Sequence, residues 1–112
     1  MKLEMHIHAS EVSTCSECTA AQAVQRCVGH GYDGMVTTDH FSFDSVPFSV
    51  RVGSGKTLWK RRVEHFLTGY DAAREAAPAG FAVLLGMELR FANENHNDYL
   101  VYGFDKEFLY RH

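Results

Sequence analysis

Three short runs place metal-binding side chains at the ends of successive extended segments, and this placement restricts the fold more than any other feature. His6-Ile7-His8 closes the first segment, Thr38-Asp39-His40 the second and Gly86-Met87-Glu88 the third. Residues two apart on an extended chain face the same way, so His6 and His8 project together. Imidazole suits zinc, iron or manganese, and carboxylates bridge or complete such sites. Parallel α/β folds build their active sites outside the carboxyl ends of their strands. Ligands in those positions point to a polynuclear metal site, suited above all to hydrolysis.

The pattern between these runs supports an α/β chain. Met1 to His8 alternates, with Leu3, Met5 and Ile7 on one side and Lys2, Glu4, His6 and His8 on the other, which is a strand. After a polar stretch, Thr19 to His30 reads as a helix with an apolar stripe of Ala20, Ala23, Val24, Cys27 and Val28. Thr19, or Ser16 before it, is suited to cap its start, and Gly29-His30-Gly31 is a natural stop. Met35 to Thr38 is a short second strand. Phe41 to Gly55 reads as a long loop of the kind that covers sites.

Lys56 to Ala77 reads as a long helix whose Trp59, Val63, Phe66, Tyr70 and Ala73 belong to the core, ended by Pro78-Ala79-Gly80. Phe81 to Met87 is a continuous apolar run, expected as a buried strand that ends at Glu88. Tyr99 to Tyr102 follows the polar turn Asn93 to Asn97 as a fourth strand. Intervening helices favour a mainly parallel sheet with right-handed crossovers, and the short last link allows an antiparallel final pair.

Composition narrows the alternatives. The 112 residues suit one small domain, and a hydrophobic share of 46% is enough for a core. A net charge of −3 without a basic stripe argues against a dedicated nucleic-acid or membrane surface. No apolar run approaches the ~20 residues of a membrane span, and Met1-Lys2-Leu3-Glu4 does not open a signal peptide, so a cytoplasmic location is expected. Cys15, Cys18 and Cys27 are an odd count, so a disulfide framework is not expected. Cys15 and Cys18 have the spacing of a zinc or redox pair, but no second pair of ligands stands at finger spacing, and two loop thiols near a helix start is the simpler reading. Ser54-Gly55-Lys56-Thr57 lacks the earlier glycine of a phosphate loop, with Val50 in its place.

Glu4-Met5-His6-Ile7-His8, Gly31 to His40, Gly86 to Phe91 and Asp98 to Gly103 together resemble the N-terminal part of the PHP superfamily, the polymerase and histidinol phosphatase domains. The resemblance covers nearly the whole chain. It implies the N-terminal portion of a distorted (β/α)7 TIM-like barrel, of which residues 1–112 supply about four mostly parallel strands as a single partial domain. The later family motifs have no counterpart after Phe104. The chain is therefore expected to be a partial product, or a subunit whose barrel is completed by a second copy or another chain. An open sheet of this kind exposes an edge and apolar surface.

The resemblance also implies roles. His6 and His8 match ligands of a first metal, Glu88 a carboxylate that bridges two metals, and His40 a ligand of the other metal. Asp39, beside His40, is expected to orient a ligand or hold the strand-end turn, and with Glu88 and His40 it makes up the expected catalytic set. The family's aspartate or histidine five or six residues after the second histidine is replaced here by Ser13 and Thr14, which leaves Glu11 as the nearest acidic candidate ligand. Asp98 stands where many members carry a histidine, with His96 as the lesser candidate. Arg51 and Lys56 are candidate contacts to a substrate phosphate. The implied cofactors are two or three divalent ions of zinc, manganese or iron. The implied reaction is hydrolysis of a small phosphomonoester, such as histidinol phosphate or a nucleotide, by metal-activated hydroxide. The alternative is a catalytically incomplete metal-binding or interaction module of the same fold.

Overall fold

The computed structural model describes residues 1–41, 55–90 and 98–111. Two strand–helix–strand units come first: β1 (Leu3–Ile7), α1 (Ala20–Gly29) and β2 (Gly34–Thr37), then α2 (Gly55–Ala76) leading into β3 (Ala82–Leu85). β4 (Met87–Arg90), β5 (Asp98–Val101) and α3 (Lys106–Arg111) follow. β1, β2 and β3 form a parallel sheet in that order, and β4 and β5 form an antiparallel pair. The chain is thus α/β and mainly parallel with an antiparallel end. Among the described residues no barrel closes. No helix among them is long and apolar enough to cross a membrane.

Local chemistry sets the helix ends. Thr19 caps α1: its hydroxyl accepts from the Gln22 backbone N–H, and the Gln22 side chain accepts from the Thr19 N–H. Ala20, Ala23, Val24 and Cys27, at the i, i+3, i+4, i+7 positions, pack with Met35 of β2 and Ala73 of α2. Val28 falls one step past that set and is exposed, contrary to its expected place in the stripe. α2 buries Val63, Phe66 and Leu67 against Phe41, Met87 and Leu109. Burying each such side chain contributes about 1.5–3 kcal/mol. Trp59 Nε1 donates to the Leu109 carbonyl at 2.6 Å, which ties α2 to α3. The six residues of α3 are too few to show a clear period in sequence, and Asp105 caps the helix by accepting from the Phe108 N–H at 2.9 Å.

Two departures from simple alternation bear on the site. The β1–β2 register shifts between Glu4 and Ile7. A bulge of this kind turns later residues relative to earlier ones. Ile7 therefore packs on the helix-side core, whereas Met5, expected beside it, is exposed. The second departure is at Gly86. The expected single strand ending at Glu88 is divided there into β3 and β4, although the parallel ladder runs on: Gly86 N–H donates to Thr37 O at 2.8 Å, Glu88 N–H to Asp39 O at 3.0 Å and Phe41 N–H to Glu88 O at 2.9 Å. A Cβ on Gly86 would lie 3.0 Å from Val36 Cγ1 and 3.1 Å from the Val101 carbonyl. Glycine thus lets the chain pass close to β2 while it takes β5 as its new partner. Glu88 consequently sits inside β4 rather than at a strand end. The run is also less buried than a two-faced strand: Val83 packs on the helix-side core, and Leu84, facing the other way, is 47% exposed.

Candidate metal centre

The ligand-bearing backbone is held by bonds that do not use the ligands. Thr38 N–H donates to Ile7 O at 2.7 Å, and Ile7 N–H donates to Thr38 Oγ1 at 3.0 Å. Asp39, 1% exposed, accepts at Oδ1 from the Ala9 N–H at 2.6 Å and from the Ser13 hydroxyl at 2.8 Å. Ser13 Oγ in turn accepts from the His40 N–H at 3.1 Å. The segment after β1 and the segment after β2 are thereby clipped together, with His8 and His40 flanking the clip.

The side chains converge. Glu88 Oε2 lies 2.9 Å from His8 Nε2 and 3.1 Å from His40 Nδ1, and Glu88 Oε1 lies 3.5 Å from His6 Nε2. His6 Nε2 and His8 Nε2 are 3.1 Å apart. On the far side of the two rings, Cys15 Sγ lies 3.3 Å from His8 Nδ1 and 3.4 Å from His40 Nε2. Two groups of donors result, His6–His8–Glu88 and His8–Cys15–His40. Tetrahedral ligands at zinc–nitrogen and zinc–sulfur lengths stand about 3.3–3.6 Å from one another, close to these separations. Glu88 is 7% exposed, and its Oε2 makes no well-formed hydrogen bond despite the two nearby nitrogens. A buried carboxylate oxygen in that position is costly unless a cation offsets its charge, so the donors present fit a divalent metal.

Electrostatics favour the same state. Burial lowers the His8 pKa, and the charge that a protonated His40 would carry lowers it further, against a weaker opposing pull from Glu88. The ring is thus biased to the neutral form that coordinates metal. Burial pushes Asp39 up to about 6, opposed by the donors from Ala9 and Ser13.

Of the residues expected at the site, His6, His8, His40 and Glu88 come together. Asp39 joins neither donor group; its carboxylate holds the turn, as one of its two expected roles required. Glu11, expected as a ligand, instead accepts from the Ala20 N–H with both oxygens, at 3.0 and 3.1 Å, beside the α1 N-terminus where the helix dipole favours an anion. Asp98 opens β5 opposite Arg90, on the strand face that carries Glu88 but about 7 Å further along, and it joins neither group. Lys56 is exposed in the first turn of α2 and lines a cavity with Trp59 and Tyr110, separate from the histidines. Arg51 and His96 lie outside the described residues.

Sequence reasoning weighed Cys15 only as a partner of Cys18, not as a companion of His8 and His40. The signal was its place seven residues after His8, one or two beyond the position where an acidic or histidine ligand was sought. It also missed Ser13, whose small hydroxyl is what the buried clip can accommodate. A cavity of about 310 Å³ opens beside the cluster, walled by His6, His8, Cys15 and Arg26. No family model, curated protein or solved structure matches the chain.

Proposed function

We propose that this chain carries the metal centre of a PHP-type phosphoesterase and acts on a small phosphomonoester. One observation carries the proposal: three imidazoles meet around a buried Glu88 whose Oε2 lacks a well-formed hydrogen bond, at separations that ligands of one cluster would adopt. The H-x-H, T-D-H and G-x-E runs that resemble the family are the source of those same four side chains. The expected TIM-like barrel belongs to this proposal too, with β1 to β3 as its opening strands.

His6, His8, His40 and Glu88 would hold the ions, and bound divalent ions would supply Lewis acidity toward water and the phosphoryl oxygens. The protein's own part is positional. Asp39 and Ser13 fix the loops that carry His8 and His40, so the donors need little rearrangement on loading. Glu88 supplies a buried negative charge beneath the three imidazoles. The adjoining cavity is of the size that small ligands occupy, and Arg26 on its wall offers a planar cationic contact for phosphate. Histidinol phosphate or a nucleotide is the substrate class the resemblance implies, and a cytoplasmic location accords with it.

A second reading has its own observation. Leu84 of the parallel sheet and Leu100 of the antiparallel pair are 47% and 41% exposed, and neither sheet closes among the described residues. That favours a catalytically incomplete metal-binding module, or one completed by a second copy or another chain.

The test is bound metal per chain by elemental analysis, for the protein and its Glu88→Ala variant, followed by hydrolysis of p-nitrophenyl phosphate. About two ions per chain, falling sharply in the variant together with turnover, is the expected result. Loading that is retained without turnover favours the module. A substoichiometric metal content that the substitution leaves unchanged overturns the metal centre itself.

A further inference from the structure

We propose that Cys15 is a metal ligand, and that with His8 and His40 it makes the cluster selective for a thiophilic ion, zinc, over manganese. The inference rests on the metal centre described above and assigns it a donor that the resemblance does not supply. Its basis is the position of one sulfur between two rings. Cys15 Sγ stands 3.3 Å from His8 Nδ1 and 3.4 Å from His40 Nε2, and the ring centroids are 4.4 Å apart. A sulfur and two imidazole nitrogens around one zinc ion would be separated by about 3.3–3.6 Å.

The second, independent observation is the buried Glu88 carboxylate. It faces the opposite nitrogens of the same two rings, His8 Nε2 at 2.9 Å and His40 Nδ1 at 3.1 Å, without a well-formed hydrogen bond. Each ring therefore has a donor group on both sides. A neutral imidazole has one lone pair, so the nitrogen that carries the proton decides which ion each ring serves. A thiolate fixes that choice for an ion on its own side: it binds through sulfur and draws His8 Nδ1 and His40 Nε2 to the same ion. His6 Nε2 and Glu88 then remain as donors for the neighbouring ion.

Placement allows this without strain on the rest of the fold. Cys15 follows the Ser13 clip by two residues, and Ser16 N–H donates to Ser13 O at 3.0 Å, so the turn that bears the sulfur is anchored to the same clip. Cys18, the other half of the apparent pair, belongs to neither donor group. The two-residue spacing is therefore incidental to the metal site. The consequence is chemical: carboxylate-rich sites suit manganese, whereas a thiolate selects zinc and similar ions.

Cobalt(II) titration of the metal-free protein under reducing conditions tests this directly, with Cys15→Ser and Cys18→Ser alongside. The expected result is a near-ultraviolet thiolate-to-cobalt charge-transfer band in the wild type and in Cys18→Ser that is lost in Cys15→Ser, while the visible ligand-field bands persist. Loss of an outer hydrogen-bond partner lowers metal affinity by about 10- to 100-fold, so loss of a direct ligand is expected to lower zinc affinity in Cys15→Ser by more than about 100-fold. Ligand-field bands without the charge-transfer band in the wild type would overturn the assignment of Cys15 and leave the histidine–glutamate centre standing. A charge-transfer band that survives in Cys15→Ser overturns it as well. The absence of any cobalt bands at stoichiometric metal overturns both.

Discussion

Gly69 is the point at which the long helix and the candidate metal centre press on each other. It lies in the interior of α2 and is buried. An exposed glycine in mid-helix is destabilising relative to alanine by roughly 0.5–1 kcal/mol, so Gly→Ala at such a position ordinarily stabilises. Here the added Cβ would overlap Asp39 Oδ2, and would lie 3.2 Å from both Ala9 Cβ and Val12 Cγ2. The carboxylate cannot simply swing aside, because its other oxygen is held by the Ala9 N–H and the Ser13 hydroxyl. Relief requires either moving α2 away from the sheet or breaking those bonds. Overpacking of this kind costs about 1–3 kcal/mol, and losing a hydrogen bond to a charged group costs about 1.5–3 kcal/mol.

Set against a gain of roughly 0.5–1 kcal/mol in helix propensity, the expected net effect of Gly69→Ala is a loss of roughly 0.5–2 kcal/mol. Urea denaturation of the metal-free protein measures it, with the exposed neighbour Thr68→Ala as a control expected within about 0.5 kcal/mol of wild type. A cycle with Asp39→Ala apportions the cause. Removing the carboxylate should turn the alanine at 69 from unfavourable toward neutral, a coupling of about 1–2 kcal/mol. A Gly69→Ala protein as stable as wild type or more so, with no coupling to Asp39, would refute the close packing of α2 on the Asp39 turn.

Two further substitutions test local roles, at Glu11 and at His65. Glu11→Ala is expected to cost about 0.5–2 kcal/mol through the lost acceptor at the α1 N-terminus while leaving bound metal per chain unchanged; a fall in metal content would restore Glu11 to the ligand set. Burial lowers the His65 pKa from its ordinary 6.5, so the folded state disfavours its protonation. Its contribution is complete above pH 6.5 and is lost as pH falls below that value toward the folded pKa, so stability should decline with acid in that window. His8 shifts the same way, and the comparison with His65→Leu isolates the effect. The variant's denaturation midpoint should fall less on acidification than the wild type's, and equal slopes would count against it.

The elements most legible in sequence were those with the strongest physical period. The α1 stripe, the Thr19 cap and the long α2 helix follow from residue spacing and capping chemistry that act within a few positions. The convergence of His6, His8, His40 and Glu88 was legible as well, because parallel pairing carries residues at and just past the ends of β1, β2 and β3 to one edge of the sheet. What remained hidden depended on contacts distant in sequence. Nothing near Gly86 announces that it must fit between Val36 and the Val101 carbonyl. The exposure of Met5 follows from a register shift against β2, which alternation along β1 alone cannot show. Glu11 reads as a ligand in sequence because it is the acidic residue of that loop nearest the histidines. The nearest unpaired helix N–H groups won it, since an anion at a helix N-terminus is stabilised with no need for a cofactor.

The division of labour at the centre follows from burial. Asp39 and Ser13 are fully enclosed, and their bonds run to backbone groups of both ligand-bearing segments and end against α2. His6 and Cys15 are exposed, while His8 and His40 are intermediate. The part of the site that fixes position is thus built into the core and shares its cooperativity, whereas the donors proposed to choose the ion, Glu88 apart, stand nearer the surface. Replacement of an outer donor should therefore change metal preference at little cost in stability. Disturbance of the Asp39 clip should instead weaken the fold and the metal centre together.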